Sequence, residues 1–233
     1  MFFEPISARS EADAALGAGA APTFWRSGHR PTLIAAFLYF DLAFMVWVIL
    51  GPLAPSISAD LSLDAAEKGL MVATPTLAGA VLRIVMGLLV DRLGPKLTGA
   101  FGQIVVILGL FGAWLVGIDS FGGTLLLGLL LGFAGASFAV ALPLASRWYP
   151  REHQGKAMGI AGMGNSGTVL ASLFAPTLAK ALGWNAVLGL ACIPLTVVLA
   201  VYLALAKDSP DCPPPQRLAS YVEPLRERDA WWL

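Results

Sequence analysis

Charge is scarce in this sequence. Only 13% of its 233 residues are Asp, Glu, Lys or Arg, roughly half the share in soluble domains, which is about 25%. Basic and acidic side chains balance at 15 each, so no net field draws nucleic acid or an acidic partner. Histidine is limited to His29 and His153, and cysteine to Cys192 and Cys212. Such sparse, separated residues offer no disulfide framework, no CxxC pattern and no metal-ligand spacing. Neither a Ser-His-Asp set nor a phosphate-cradling glycine loop stands out, so an enzyme is not expected and no metal or cofactor is implied. The N-terminal stretch carries Glu4, Glu11 and Asp13 and lacks the apolar core of a secretory signal. Residues 1–31 therefore read as a cytoplasmic arm.

What the chain has instead is hydrocarbon. Apolar residues make up 57% of it, and the mean hydropathy is +0.74. Six runs reach spanning length for a bilayer core of about 30 Å: Thr32–Ile57, Lys68–Val90, Leu97–Gly117, Gly122–Ser146, Lys156–Ala179 and Trp184–Ala206. They are continuous, not alternating, which argues for helices over a β-barrel. Pro52, Pro75, Pro143, Pro176 and Pro194 are tolerable where neighbouring helices re-satisfy the backbone. The expectation is an all-α membrane protein with a six-helix domain over 32–206, bathed in lipid.

Lysine and arginine give its orientation. Arg9, Arg26, Arg30, Arg92, Lys96, Arg147, Arg151, Lys156, Lys207, Arg217, Arg226 and Arg228 fall on one side. Lys68 and Lys180 fall on the other. The positive-inside rule then puts both termini in the cytoplasm, with the protein in the inner (cytoplasmic) membrane. Residues 207–233 turn polar and proline-rich, like a linker, and stop at Trp231-Trp232-Leu233, where a further span is expected to begin.

Ionisable groups inside a membrane are costly, and two lie deep in the spans: Asp41 and Arg83. Counted from the basic ends of their helices at about 1.5 Å per residue, Asp41, Arg83, Phe138 and Asn165 share one depth near the bilayer midplane. Two readings stand for Arg83. It forms an ion pair with Asp41, or its planar fork of donors binds a planar oxyanion. Asn165 supplies either an interhelical hydrogen bond or an amide donor to that anion. Phe44 and Phe138 either pack in the core or clamp a flat, weakly hydrated ion. Asp41 is also a candidate proton carrier, since burial penalises its charged form while a nearby guanidinium favours it.

Glycine marks two further features. Gly128/Gly132 and Gly155/Gly159 have the spacing that lets membrane helices approach closely. Between the second and third spans, Gly94-Pro95 predicts a tight turn, flanked by Asp91, Arg92 and Lys96.

At these residues the chain resembles a known family. Gly87-x-x-x-Asp91-Arg92-x-Gly94-x-Lys96 is similar to the loop signature of the major facilitator superfamily. The run Ala161-Gly-Met-Gly-Asn-Ser-Gly167 resembles the fifth-helix signature of its nitrate/nitrite porter family. The resemblance implies a twelve-helix fold in two halves, each of two inverted three-helix repeats, with the substrate between them. It implies that Arg83 binds nitrate or nitrite, that Phe44 and Phe138 flank the anion, and that Gly162, Gly164, Asn165 and Gly167 line the path and pack against the other half. It further implies that Asp91 latches a gating loop against the second half. On this reading the chain is an N-terminal half that needs a C-terminal six-helix half, from the same gene product or a separate chain. The alternatives are a carrier of another small anion and a non-transporting accessory or split subunit.

Overall fold

Hydrocarbon offers the backbone no water, so a spanning chain must pair its own amides and carbonyls, and helix is the local solution. The computed structural model describes residues 23–210. Among them there are helices and no strand. Five segments are long and apolar enough to cross a membrane: Arg30–Asp60, Ala65–Leu93, Pro95–Val116, Phe121–Ser146 and Trp184–Leu205. The first consists of α1 (Arg30–Trp47) and α2 (Leu50–Asp60), and the next two are α3 (Ala65–Leu93) and α4 (Pro95–Val116). The following span joins α5 (Phe121–Gly135) to α6 (Phe138–Ser146), and the last is α9 (Trp184–Leu205).

One of the six expected runs is not among these five. The run at 156–179 is built from α7 (Arg151–Gly162), a 3-10 turn (Met163–Ser166) and α8 (Gly167–Leu182). Six apolar runs thus become five segments of spanning length and one run divided by a 3-10 turn. Glycine is the cause, since each costs an α-helix interior roughly 1 kcal/mol relative to alanine. Five of them stand between Gly155 and Gly167.

The first and fourth spans are also irregular part-way, each being two helices in sequence. Pro52 has no N–H to give the Val48 carbonyl, and the Gly51 N–H bonds that carbonyl instead, at 2.9 Å. In the fourth span the Ser137 and Ala139 amides bond three residues back, to Ala134 and Ala136.

Two junctions share one geometry. α3 passes into α4 through Gly94 alone, at φ 84° and ψ 157°. α8 passes into α9 through Gly183 alone, at φ 85° and ψ 148°. Positive φ of this size favours glycine. The two residues stand between second and third spans and between fifth and sixth, as a duplicated three-helix unit requires. The fold is an all-α, six-segment half of two such repeats.

Span 1 is the hub, with α1 packed against α5, α6, α7, α8, α9 and the 3-10 turn. α3 lies along α5, and glycine sets their separation. A Cβ on Gly132 would come 2.5 Å from the Ala78 Cβ, and one on Gly128 3.0 Å from Thr74. Gly155 and Gly159 have the same spacing yet meet nothing within 4 Å. α4 and α9 are tied by Tyr202, whose hydroxyl donates to the Pro95 carbonyl at 3.0 Å, and by Gln103, which donates to the Leu195 carbonyl at 2.8 Å.

At the basic end the chain leaving α9 ties three helix ends together. The Lys207 amide donates to the Thr32 hydroxyl at 3.0 Å, and the Lys207 carbonyl accepts from the Trp148 indole at 2.8 Å. Ser209 donates to the Arg147 carbonyl at 2.9 Å. The Asp208 carboxylate accepts from the Lys96 amide at 2.8 Å and fills the space over Gly94. Gly94 has no side chain to cap α4, so Asp208 caps it from more than a hundred residues away. Beside it, His29 caps α1 by accepting from the Thr32 amide. Burial, and then Lys207, holds the His29 imidazole below its usual pKa, which keeps that acceptor available at neutral pH. Residues 1–22 and 211–233, with the greater part of the expected arm and linker, Cys212 and the Trp231-Trp232 pair, lie outside the described residues.

Asp208→Ala should lower stability by about 1 kcal/mol, the usual cost of losing a helix cap. Thermal unfolding in detergent checks this, with Asp208→Asn retaining most of the loss-free behaviour because its side-chain oxygen still accepts.

Candidate functional site

The layer picked out in the sequence is assembled around α1. Asp41 is buried, with 7% of its surface exposed, and is the one buried Asp, Glu, Lys or Arg among the described residues. The 3-10 turn wraps it. Its carboxylate accepts from the Ser166 hydroxyl at 2.6 Å. A Cβ on Gly164 would lie 2.8 Å from the Asp41 amide nitrogen, and one on Gly167 only 1.8 Å from the Asp41 carbonyl oxygen. These glycines let two backbones meet where any side chain would part them.

Gly162 differs. A Cβ there meets nothing within 4 Å, and the residue is half-buried. The four signature residues therefore divide: Gly164 and Gly167 pack inside this half, whereas Gly162 and the exposed Asn165 face open space. Among the described residues the Asn165 side chain makes no hydrogen bond. Its backbone carbonyl accepts from the Thr168 hydroxyl at 2.9 Å and from the Gly167 amide.

Arg83 lies on the exposed face of α3. One guanidinium nitrogen donates to the Gly135 carbonyl at 3.1 Å, and the carbon of the fork sits 5.4 Å from the Phe138 ring centroid. The carbonyl is the last of α5, and the Ala139 amide, four residues on, bonds Ala136 instead of Gly135. Asp41 is not its partner. The ion pair considered from sequence is replaced by Arg83–Gly135 and Asp41–Ser166, and the ion pair found among the described residues joins Arg147 to Asp91 at 3.3 Å.

Aromatic rings connect the two groups. Phe138, 41% exposed, lies 5.9 Å from Phe40, which lies 4.2 Å from the buried Phe44. Phe44 meets Trp47 at 4.8 Å, and the Trp47 indole donates to the Pro75 carbonyl at 2.9 Å. Phe40 also abuts Gly164, bringing the cation and the glycine turn into one continuous layer. Phe40, Trp47, Gly135 and Ser166 were not singled out in the sequence. Phe40 and Trp47 carried a signal, being spaced around Phe44 at helical intervals, whereas nothing local marked Gly135 or Ser166.

The loop residues sit apart, at the basic end. Gly94 makes the expected turn, and Lys96 is bonded through its backbone to Asp208. Asp91 pairs within this half, with Arg147 of the fourth span's end. Arg92 is exposed, and a Cβ on Gly87 meets nothing within 4 Å.

A family model described as Major Facilitator Superfamily matches residues 33–231. The chain belongs to the major facilitator superfamily. Among curated proteins, this superfamily half is 34% identical over 187 residues to the "Probable nitrate/nitrite transporter NarK2" of Mycobacterium tuberculosis, covering 78% of this chain and 47% of that one. It is 35% identical to the "Probable nitrate transporter NarT" of Staphylococcus carnosus, over 71% of this chain and 42% of the relative. It is 33% identical to the "Nitrite extrusion protein" of Bacillus subtilis, over 69% and 40%. The chain spans about half the length of the curated relatives it matches. It is a multi-pass membrane protein.

The division among the glycines is open to measurement. Gly164→Ala and Gly167→Ala should each lower thermal stability by about 2 kcal/mol or more, because a rigid backbone must give way. Gly162→Ala should leave stability within about 1 kcal/mol of the parent, or raise it through better helix propensity. Unfolding midpoints of the three variants in detergent separate packing glycines from exposed ones.

Proposed function

We propose that the chain is the N-terminal half of a secondary transporter for nitrate, with nitrite as a second substrate. It works by alternating access against a C-terminal six-helix half from the same gene product or a separate chain. The observation that carries this reading is the state of Arg83. The side chain keeps its charge in any environment, is exposed on the surface of this half, and has a carbonyl and an aromatic face as neighbours but no carboxylate among the described residues. A guanidinium offers five N–H donors, and one bond to Gly135 leaves most of the fork for a guest. A planar oxyanion fits that fork, and its single negative charge offsets the desolvated cation.

Phe138 and Phe44 would border the anion, and Asn165 would add an amide donor from the turn. Gly162 would leave the path clear, while Gly164 and Gly167 hold the turn against Asp41. The relatives' names support the substrate, and their greater length supports a second half. The distribution of lysine and arginine supports an inner-membrane protein with both ends of the bundle's chain in the cytoplasm. Asp91, Arg92 and Lys96, with Gly87 and Gly94, would form the cytoplasmic gating loop. Asp41 is the proton carrier on this reading, which makes the mode symport, with nitrate/nitrite exchange as the competing mode.

Arg83→Ala in the assembled transporter should lower nitrate uptake by about 100-fold, the scale of losing two charge-assisted hydrogen bonds. Arg83→Lys should fail nearly as badly, because a point charge does not reproduce the fork. Uptake equal to the parent in either variant sinks the anion site. Counterflow in liposomes decides the mode: symport requires stimulation by an inward proton gradient that Asp41→Asn removes, whereas exchange proceeds alike with and without the gradient.

A further inference from the structure

We infer that Ser166 is a positioning residue through which the protonation state of Asp41 sets the geometry of the Met163–Ser166 turn and so the presentation of Asn165. The inference rests on the reading of Asp41 as a proton carrier in the previous subsection. It adds the physical link between that proton and the anion-facing side of the broken span.

The link is built from contacts already described. The turn and the residue after it meet α1 around Asp41 at three positions: Gly164 against its amide and against Phe37 and Phe40, Gly167 against its carbonyl and the Met45 amide, and Ser166 on its carboxylate at 2.6 Å. The glycine contacts are steric and do not respond to a proton. The Ser166 bond does. An ionised carboxylate only accepts, so the Ser166 hydroxyl must donate to it, and such charge-assisted bonds are roughly twice as strong as neutral ones. A protonated Asp41 carries its own hydroxyl and no longer demands that donor. The serine is then free to bond back to a carbonyl of its own helix, as serines within helices do.

Asn165 is the residue immediately before, and its exposed amide has no hydrogen bond of its own among the described residues to hold its direction. Its aim therefore follows the turn. Few other charges reach this layer. From the second span comes Arg83, engaged with Gly135 and Phe138, and from the fourth span the uncharged Ser137 and Phe138. The fifth span contributes Ser166 and Asn165, and the sixth contributes Tyr202, which meets Tyr39. His29 and Arg30 stand at the far end of α1.

Amide hydrogen exchange by mass spectrometry tests the link without relying on transport. The chain in lipid nanodiscs is compared as parent, Ser166→Ala, Ser166→Thr and Asp41→Asn. Rates in peptides spanning residues 160–170 are followed across a pH series, after correction for intrinsic exchange. The parent should lose protection in the turn as pH falls, by about tenfold, which corresponds to one charge-assisted bond. Ser166→Ala should exchange quickly at every pH, Ser166→Thr should restore the parent's response, and Asp41→Asn should be insensitive to pH. A Ser166→Ala protein with the parent's protection and pH response overturns the inference.

A second arm uses nitrate counterflow by the assembled transporter. Ser166→Ala should raise KM about tenfold, flatten its pH profile and leave kcat within about twofold of the parent. A loosened turn with KM and its pH profile unchanged also overturns the inference, by reducing Ser166 to a structural clasp. If the turn responds as expected but the parent carries no nitrate, the anion reading fails while the link between Asp41 and the turn holds.

Discussion

Arginine does not give up its charge in hydrocarbon, so Arg83 must find compensation within reach of its own side chain. Inside this half it finds a carbonyl and the face of a ring, not a carboxylate. Both are partial answers. The carbonyl is available because the regular helix of the fourth span ends at Gly135, and the ring belongs to the first residue of α6, where helix resumes. A local irregularity in one helix therefore equips the cation on another. The same irregularity leaves much of the fork uncommitted on the exposed side, which is the condition an anion site needs.

The second constraint is the crossing of α1 with the broken span. Close approach of two helices needs glycine at the point of contact, and a run of glycines cannot hold a regular α-helix. The chain resolves the conflict with a single 3-10 turn. Gly164 and Gly167 make the contact, while Gly162 and Asn165 are turned outward by the tighter winding. Packing and exposure are thus shared out among neighbouring residues of one short motif.

Much of this was legible in the sequence, for physical reasons that differ by element. The spans were readable because a bilayer permits almost no alternative to helix, so apolar length alone locates them. The turn at Gly94-Pro95 was readable because few other residues accept its positive φ. The break at Met163–Ser166 was not, since averaging hydropathy over a window conceals one turn of tighter winding. Glycine spacing misled in part: Gly128/Gly132 and Gly155/Gly159 look alike on paper, but only the first pair faces a neighbouring helix in this half. The partner of Asp41 was beyond reach, as Ser166 lies 125 positions away and carries no charge to betray it. Shared depth offered Arg83 as one of two readings, and Arg83 is bonded to Gly135 instead.

The fastening beneath the bundle has a mechanical corollary. Residues 207–209 are bonded to Thr32, Lys96, Arg147 and Trp148, which belong to the entry of the first span, the start of the third and the foot of the fourth. Any tension arriving from the polypeptide beyond Pro210 is therefore delivered to both repeats at once, not to α9 alone. The load is shared among the ends of the first, third, fourth and sixth spans.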